Sequence, residues 1–414
     1  MTIKMIKNEL FKQKNDINSI LNTSIIEREK TADAKNLVEK TLIKVVTGPR
    51  RSGKSTFCLL LLKGKSFAYA NFDNAIIKGC KNHSKLEEAL FSVYPNTKIV
   101  FLDEIQNLLD WELFVNGLQR RGYNIFLTGS NANLLSQELS THLTGRFVEI
   151  KIMPFSFKEF LLAKEIDRGG LSPLLKDNFD DYLKSGGFPE LVMQNLSPKV
   201  YLSSLIDSVI LNDIVSRYKV RNPQEVRDLI FYLFSNFSSE FSYRKLQFSL
   251  GISSLHTTKK YVDFSVSAFL ICVLNRYSHK VKEQIRSPKK AYLIDTGVAD
   301  AQAFQFSYDY GKFLENMVFL ELLRRGARPN FEVFSYKTDN NKEVDFYLNK
   351  RQLIQVCYDI SDKKTKDREI SALITAGKEL SCNNLQILTY DQEGLETIGD
   401  KEISLTPVWK WLLT

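Results

Sequence analysis

The chain has 414 residues, 43% of them hydrophobic, enough for two or three domains with cores of their own. No apolar run approaches the length of a membrane helix, and the N-terminal Met1-Thr-Ile-Lys-Met-Ile-Lys lacks a signal-peptide core, so a cytoplasmic protein away from membranes is expected. The five cysteines (58, 80, 272, 357 and 382) are scattered, with no CxxC and no histidine pairing, which argues against a zinc site or a disulfide framework and for reduced core thiols. A formal net charge of +9 makes a polyanionic partner plausible but does not specify one.

Residues 1–35 are polar and helix-prone, with Leu10, Phe11, Ile17, Ile20 and Leu21 at roughly helical spacing, and are expected to cover the flank of the following domain. Leu42-Ile-Lys-Val-Val46 then reads as a buried strand, and Ser55-Thr-Phe-Cys-Leu-Leu-Leu-Leu as a helix. Between them stands Gly48-Pro-Arg-Arg-Ser-Gly-Lys54-Ser55, a glycine-rich loop in the strand–loop–helix setting that cradles phosphates. Gly48 and Gly53 let the loop curl with its N–H groups inward, and the helix N-terminus adds partial positive charge. Lys54 would reach the β- and γ-phosphates, and Ser55 would ligate Mg²⁺. About fifty residues on, Lys98-Ile-Val-Phe-Leu-Asp103-Glu104 supplies the second half of a Walker nucleotide site. Its apolar run predicts a central parallel strand that delivers Asp103 to the sheet's ligand-binding end, where it would hold Mg²⁺ through water. Glu104 beside it would polarise the attacking water or accept its proton. The candidate nucleotide-binding residues are thus Gly48, Pro49, Arg50, Arg51, Ser52, Gly53, Lys54, Ser55, Thr56 and Asp103.

Phe67-Ala-Tyr-Ala-Asn-Phe72 supplies another strand, and residues 85–93 and 114–121 helices. Asn124-Ile-Phe-Leu-Thr-Gly129-Ser130 repeats the pattern of an apolar strand ending in small polar residues, so Ser130 or Thr128 can contact the γ-phosphate or its water, a plain turn being the other reading. Glu149 to Ile152 closes a doubly wound parallel sheet. From Pro154 a helical region extends to about residue 220, broken at Ser185-Gly-Gly-Phe-Pro189, and is expected to lie across the nucleotide cleft as a lid.

These motifs resemble those of bacterial and archaeal AAA+ ATPases in which the P-loop domain precedes a winged helix and a nuclease-like C-terminal domain. The resemblance rests on Gly48-Pro-Arg-Arg, Asn71-Phe-Asp73, Leu102-Asp-Glu-Ile-Gln106, Thr128-Gly-Ser130, Leu143-Thr-Gly-Arg146, Met153-Pro-Phe-Ser-Phe-Lys-Glu-Phe-Leu161 and Gly186-Gly-Phe-Pro-Glu190, and covers nearly the whole chain. It implies the following plan: an N-terminal helical segment (1–35), an α/β P-loop AAA+ parallel sheet domain (36–153), a helical lid (154–221), a winged helix (222–300) and a PD-(D/E)xK nuclease-like domain (301–414). It further implies that Arg146 is an arginine finger, reaching a neighbour's γ-phosphate or its own. A homo-oligomer follows, a hexameric ring being one form that would share such a site.

Residues 226–234, Tyr243 to Gly251 and a stretch capped by Ser253-Ser254 have the rhythm of a helix-turn-helix. The third helix offers His256, Thr257, Lys259 and Lys260 near its start, where a recognition helix meets the major groove. Leu274 to Ser278 and Ala291 to Ile294 read as hairpin strands whose connecting wing carries Lys280, Lys282, Arg286, Lys289 and Lys290, suited to DNA phosphates. The last domain opens with a helix carrying Glu315, followed by three strands carrying Asp345 in the second and Gln355 and Cys357 in the third. Glu315 and Asp345 fit as metal ligands of a PD-(D/E)xK centre, but a neutral amide and a thiol stand where a carboxylate and a lysine are needed. A hydrolytically dead nuclease-like centre is expected. The sequence therefore points to an ATP- and Mg²⁺-dependent oligomeric ATPase that binds and remodels, or translocates on, duplex or branched DNA. The alternatives are an ATP-dependent regulatory or defence switch and an active metal-dependent nuclease.

Overall fold

The computed structural model describes residues 2–21, 25–131, 146–170, 172–302, 309–349 and 351–414. The chain divides into two compact units, Met1–Pro154 and Phe155–Thr414. Leu143 to Gly145 of the expected Leu143-Thr-Gly-Arg146 motif lie outside the described residues.

In the first unit, β1 (Ile43–Thr47), β2 (Phe67–Asn71), β3 (Ile99–Asp103), β4 (Asn124–Gly129) and β5 (Phe147–Lys151) form one sheet in the order β2-β3-β4-β1-β5. All four pairings are parallel. Every residue of β1 is buried. Because successive side chains point to opposite faces, a strand buried along its whole length lies between two covered faces, which is why its sequence shows no regular apolar–polar alternation. Helix α1 (Ile3–Leu21) buries Ile6, Leu10 and Ile17, and leaves Phe11 and Ile20 exposed. Phe11 falls off the stripe set by the 3.6-residue period, whereas Ile20 lies beside it in the helix's last turn. Buried Gln13 on the same stripe accepts from Asn71 N at 2.9 Å and donates to Asn71 O at 3.3 Å, satisfying the edge of β2. The unit is completed by α2 (Lys54–Leu61), α3 (His83–Val93) and α4 (Trp111–Arg120).

The second unit starts with α5 (Phe157–Ala163), α6 (Ser172–Ser185), α7 (Pro189–Gln194) and α8 (Pro198–Val209), which continues as a π-helical turn over Ile210–Ser216. The break between α6 and α7 falls on the expected glycines. Gly186 has φ 76°, and a Cβ there would lie 1.7 Å from Asp295 Oδ1, so only glycine fits. Next come α9 (Pro223–Ser235), β6 (Glu240–Phe241), α10 (Tyr243–Leu250), α11 (Leu255–Ser267), β7 (Ile271–Asn275), α12 (Val281–Arg286) and β8 (Lys289–Leu293). Gly251, at φ 64°, ends α10, and the Ser254 hydroxyl accepts from Thr257 N at 3.0 Å to cap α11. The strands form an antiparallel sheet in the order β6-β8-β7.

The hairpin differs from expectation. β7 ends at Asn275, three residues before Ser278, and β8 starts at Lys289, two residues before Ala291. The connection is no open loop, since it contains α12. After α13 (Tyr310–Arg324), six strands follow: β9 (Val333–Lys337), β10 (Glu343–Leu348), β11 (Gln352–Cys357), β12 (Leu385–Thr389), β13 (Gly394–Ile398) and β14 (Lys401–Pro407). They make a mixed sheet in the order β13-β14-β12-β11-β10-β9, and α14 (Lys363–Glu379) lies between β11 and β12 in the chain. No described helix is long and apolar enough to cross a membrane.

Candidate functional site

The sheet order places β1 between β4 and β5, with β2 and β3 beyond β4, so the connections that leave the neighbouring strands β1 and β4 run in opposite directions across the sheet, the first to β2 and the second to β5. Open α/β sheets bind ligands at the C-terminal ends of such strands. There Thr47 aligns with Gly129 of β4 and Lys151 of β5, and the Gly48-to-Lys54 loop begins. Gly48 has φ 148°, and a Cβ on it would stand 2.0 Å from Ile152 O. Two further loop residues are left-handed, Arg51 at φ 64° and Gly53 at φ 88°. Left-handed turns among right-handed residues point successive N–H groups to one side, the geometry of an anion nest. Gly53 is the N-cap of α2, whose dipole adds to it, and Thr56 lies in that helix's first turn.

The side chains gather at this mouth. Lys54, 4% exposed, donates to Pro49 O at 2.9 Å and lies 3.6 Å from Glu104 Oε1. Ser55 Oγ donates to Asp103 Oδ1 at 2.8 Å. Asp103 also accepts from Thr128 Oγ1 and, on Oδ2, from Tyr69 OH at 2.9 Å. Burial, then the Glu104 charge, raises the Asp103 carboxyl above its ordinary value, against the three hydroxyl donors. For Glu104 the balance reverses. Burial raises its pKa, but the Lys54 ammonium, donors from Gln106 and Ser130 and the Arg50 charge hold the carboxyl below the usual range. It therefore stays ionised at neutral pH.

Glu104 itself sits at φ 52°, a left-handed conformation that a β-substituted residue adopts only when its surroundings impose it. The surroundings are visible. Glu104 N donates to Thr128 Oγ1 at 2.9 Å, and Ser130 N donates to Glu104 Oε2 at 3.2 Å. Thr128 thus ties β3 to β4 through both acidic residues. Of the expected pair it is Thr128 whose hydroxyl is engaged. Ser130 Oγ is buried and makes no hydrogen bond, as is Ser52 Oγ in the loop. The sequence does not reveal these contacts of Gln106, Tyr69 and Thr128. It carries no signal for them, because the register that aligns Asn71 with Asp103 and Tyr69 with Phe101, and so sets Tyr69 beside β3, is decided by the tertiary structure.

Ser55 and Asp103 suit Mg²⁺ chemically, as hard oxygen donors 2.8 Å apart beside the loop. Among the described residues no three His, Cys, Asp or Glu side chains gather to hold a metal ion. A Mg²⁺ ion needs no such cage, because it keeps several waters and takes further ligands from a bound polyphosphate. Arg146 stands elsewhere. It precedes β5, its carbonyl accepts from Ile43 N at 3.0 Å, and its side chain is exposed. Phe147 aligns with Ile43 and Lys151 with Thr47, so Arg146 lies at the end of the sheet opposite the loop, roughly 16 Å from Lys151 at about 3.3 Å per residue.

In the second unit, Lys259, Lys260, Lys282 and Arg286 are exposed, on α11 and α12. Lys289 and Lys290 are not wing residues. Both are buried in β8, because the strand starts earlier than its apolar core suggested. Lys290 Nζ lies 2.9 Å from Glu315 Oε1, 3.0 Å from Asp345 Oδ1 and 2.6 Å from Glu343 Oε1. Burial would lower the ammonium's pKa, but the Glu315 and Asp345 carboxylates outweigh it and the net shift is upward. Glu315, Asp345 and Gln355 are brought together, Asp345 N donating to Gln355 Oε1 at 3.2 Å. The cation that the acids hold is the chain's own. Gln355 Nε2 in turn donates to Glu369 Oε2 at 2.7 Å. On α14, Lys366 pairs with Glu396 and Arg368 with Glu369.

Residues 40–161 match a family described as an AAA domain, and residues 176–308 and 310–411 match two families described as domains of unknown function. A protein of Methanocaldococcus jannaschii is 37% identical over 398 residues, covering 90% of this chain and 88% of that protein. One from Haemophilus influenzae is 36% identical over 377 residues, 86% of this chain and 92% of that protein. Among solved structures, the Walker-type ATPase of Pyrococcus abyssi aligns with a TM-score of 0.44 at 14% identity, over 68% of this chain and 99% of that one. With relatives more than a third identical along nearly their whole length, the chain belongs to the same family as these archaeal and bacterial proteins, and its residues 40–161, which include the sheet that bears the loop, match an AAA domain of the P-loop ATPase type.

Proposed function

We propose that the protein hydrolyses ATP with Mg²⁺ and uses the cycle to act on DNA. The carrying observation is the convergence of Lys54, Ser55, Asp103, Glu104 and Thr128 at the phosphate loop. Mg²⁺ bound beside Ser55 and Asp103 would neutralise charge on the β- and γ-oxygens. The chain's own residues do the rest. The loop's N–H groups and Lys54 bind the phosphates, and a polyphosphate entering the loop competes with Glu104 for the Lys54 ammonium. Glu104, ionised and released from that contact, orients and deprotonates water. Thr128 holds the two acids in register while this happens.

Arg146 cannot span its own sheet, so its placement supports service to a neighbouring copy and hence an oligomer. The helix–strand–helix–helix–strand–strand order and the β6-β8-β7 sheet support a winged helix, and exposed Lys259, Lys260, Lys282 and Arg286 a DNA contact through it. For the acidic centre around Lys290 we propose a nuclease-like fold without hydrolysis, since a fixed ammonium holds the carboxylates that a metal would need.

A second reading, a slow ATP-dependent switch, draws support from Glu104, whose carboxylate is occupied by Lys54, Gln106 and Ser130 N. Steady-state ATPase with and without duplex, single-stranded and branched DNA separates the two. DNA should stimulate a motor several-fold, whereas a switch should turn over slowly and retain nucleotide through purification. Lys54→Ala should abolish nucleotide binding, and Glu104→Gln should leave binding intact while slowing turnover by about 10²-fold or more. Hydrolysis at the wild-type rate in the Gln variant would remove Glu104 from the chemistry.

A further inference from the structure

Arg28 precedes the sheet, in the segment expected only to cover its flank, yet it is buried, 8% exposed. Its guanidinium reaches two carbonyls far apart in sequence, donating through Nη1 to Ser52 O at 2.9 Å and through Nη2 to Met153 O at 2.5 Å. Ser52 belongs to the phosphate loop. Met153 follows Ile152, which donates to Thr47 O at 2.8 Å and whose own carbonyl leaves room at Gly48 for a hydrogen alone. The segment leaving β5 is therefore the back wall of the loop, and Arg28 fastens wall to loop.

We propose that Arg28 is a positioning residue for nucleotide phosphate. A trans peptide is planar, with its C=O and the following N–H antiparallel. Holding the Ser52 carbonyl outward therefore turns the Gly53 N–H inward, the orientation in which a nest binds an anion. Gly53 is the residue that most needs this help. Glycine has no Cβ to restrict it, and at φ 88° its peptide can flip at little cost. The planar fork of arginine can hold two carbonyls at once, which a lysine ammonium on its flexible stem cannot match in fixed geometry. A buried cation behind the loop also favours a polyanion in front of it.

This inference rests on the nucleotide site proposed above, and the test separates the two. Equilibrium binding of fluorescent ADP and ATP analogues to the full chain is measured for the wild type, Lys54→Ala, Arg28→Ala and Arg28→Lys. Losing one to two charge-assisted bonds should weaken both nucleotides about tenfold or more in Arg28→Ala. Arg28→Lys should fall between that variant and the wild type. Millimolar guanidinium ion should restore affinity to Arg28→Ala and leave Lys54→Ala unrestored, an effect that general loosening of the fold would not produce. Wild-type affinity in Arg28→Ala, with binding lost in Lys54→Ala, overturns the role of Arg28 alone. A wild-type chain that binds neither nucleotide overturns the site itself. Should Arg28→Ala fail to fold, Arg28→Lys decides, and undiminished affinity there overturns the proposal.

Discussion

Asp295 shows how one buried carboxylate sets a local pH dependence. It accepts from Gly187 N at 2.8 Å and Gly297 N at 3.0 Å, pinning the turn between α6 and α7. Burial pushes its pKa up to about 6, against those two bonds and the Arg324 charge. A folded-state value above the unfolded one means the native chain holds the proton more tightly. This contribution to stability is complete below the ordinary value of 3.8 and is lost as pH rises to about 6. A rise of about two in pKa is worth about 3 kcal/mol. Denaturation of the wild type and of Asp295→Asn between pH 4 and pH 7 should show the wild type losing up to that amount relative to the variant by pH 6, then no further change. A parallel pH response would show that Asp295 titrates normally. Glu104 illustrates the opposite balance, where the Lys54 and Arg50 charges and the Gln106 and Ser130 donors together outweigh the desolvation of a buried acid.

At the scale of elements, β8 departs most from its sequence. A strand opening with two lysines has the look of a solvated loop, and here both are buried. Lys290 is tolerated because α13 and β10 bring Glu315 and Asp345 to it, and Tyr292 OH donates to Glu315 Oε1 at 2.6 Å. An ion cluster of this kind adds little over a well-packed apolar core, but breaking it leaves a charge uncompensated. Lys290→Met should therefore destabilise the second unit by about 3–5 kcal/mol. Adding Glu315→Gln to that variant should recover part of the loss. Chemical denaturation checks both, and a cost below about 1 kcal/mol would place the cluster in effective contact with solvent.

At the scale of the molecule, Arg146 and the basic residues of the second unit carry the assembly and partner readings. If Arg146 serves a neighbour, mixing inactive Arg146→Ala with inactive Glu104→Gln subunits should restore some ATPase, because some interfaces regain both groups. No rescue in mixtures shown to contain hetero-oligomers would refute a shared site. Replacing exposed Lys282 and Arg286 with alanine should weaken binding to every duplex alike. It should also lower the log–log salt slope by about 0.9 for each phosphate that is no longer neutralised. Fluorescence anisotropy across a salt series measures this, and an unchanged slope would take α12 off the DNA.

The phosphate loop was legible in the sequence because its chemistry is local. Glycines at fixed spacing, a lysine and a serine opening a helix, and an apolar run ending in two acids specify strand, turn and helix without distant contacts. The same holds for the parallel sheet, the glycine break between α6 and α7, and the caps of α10 and α11. What the sequence could not give was the partner of each buried polar group, which tertiary pairing alone supplies. Thr128 bridges Asp103 and Glu104 only because β3 and β4 are neighbours. Arg28 reaches Ser52 and Met153 across 24 and 125 residues. Lys290 is a buried counter-ion and no phosphate contact, because α13 and β10 close over β8. A charged side chain reads the same in sequence whether it faces water or a carboxylate. Its burial is decided by the elements that arrive from elsewhere in the chain.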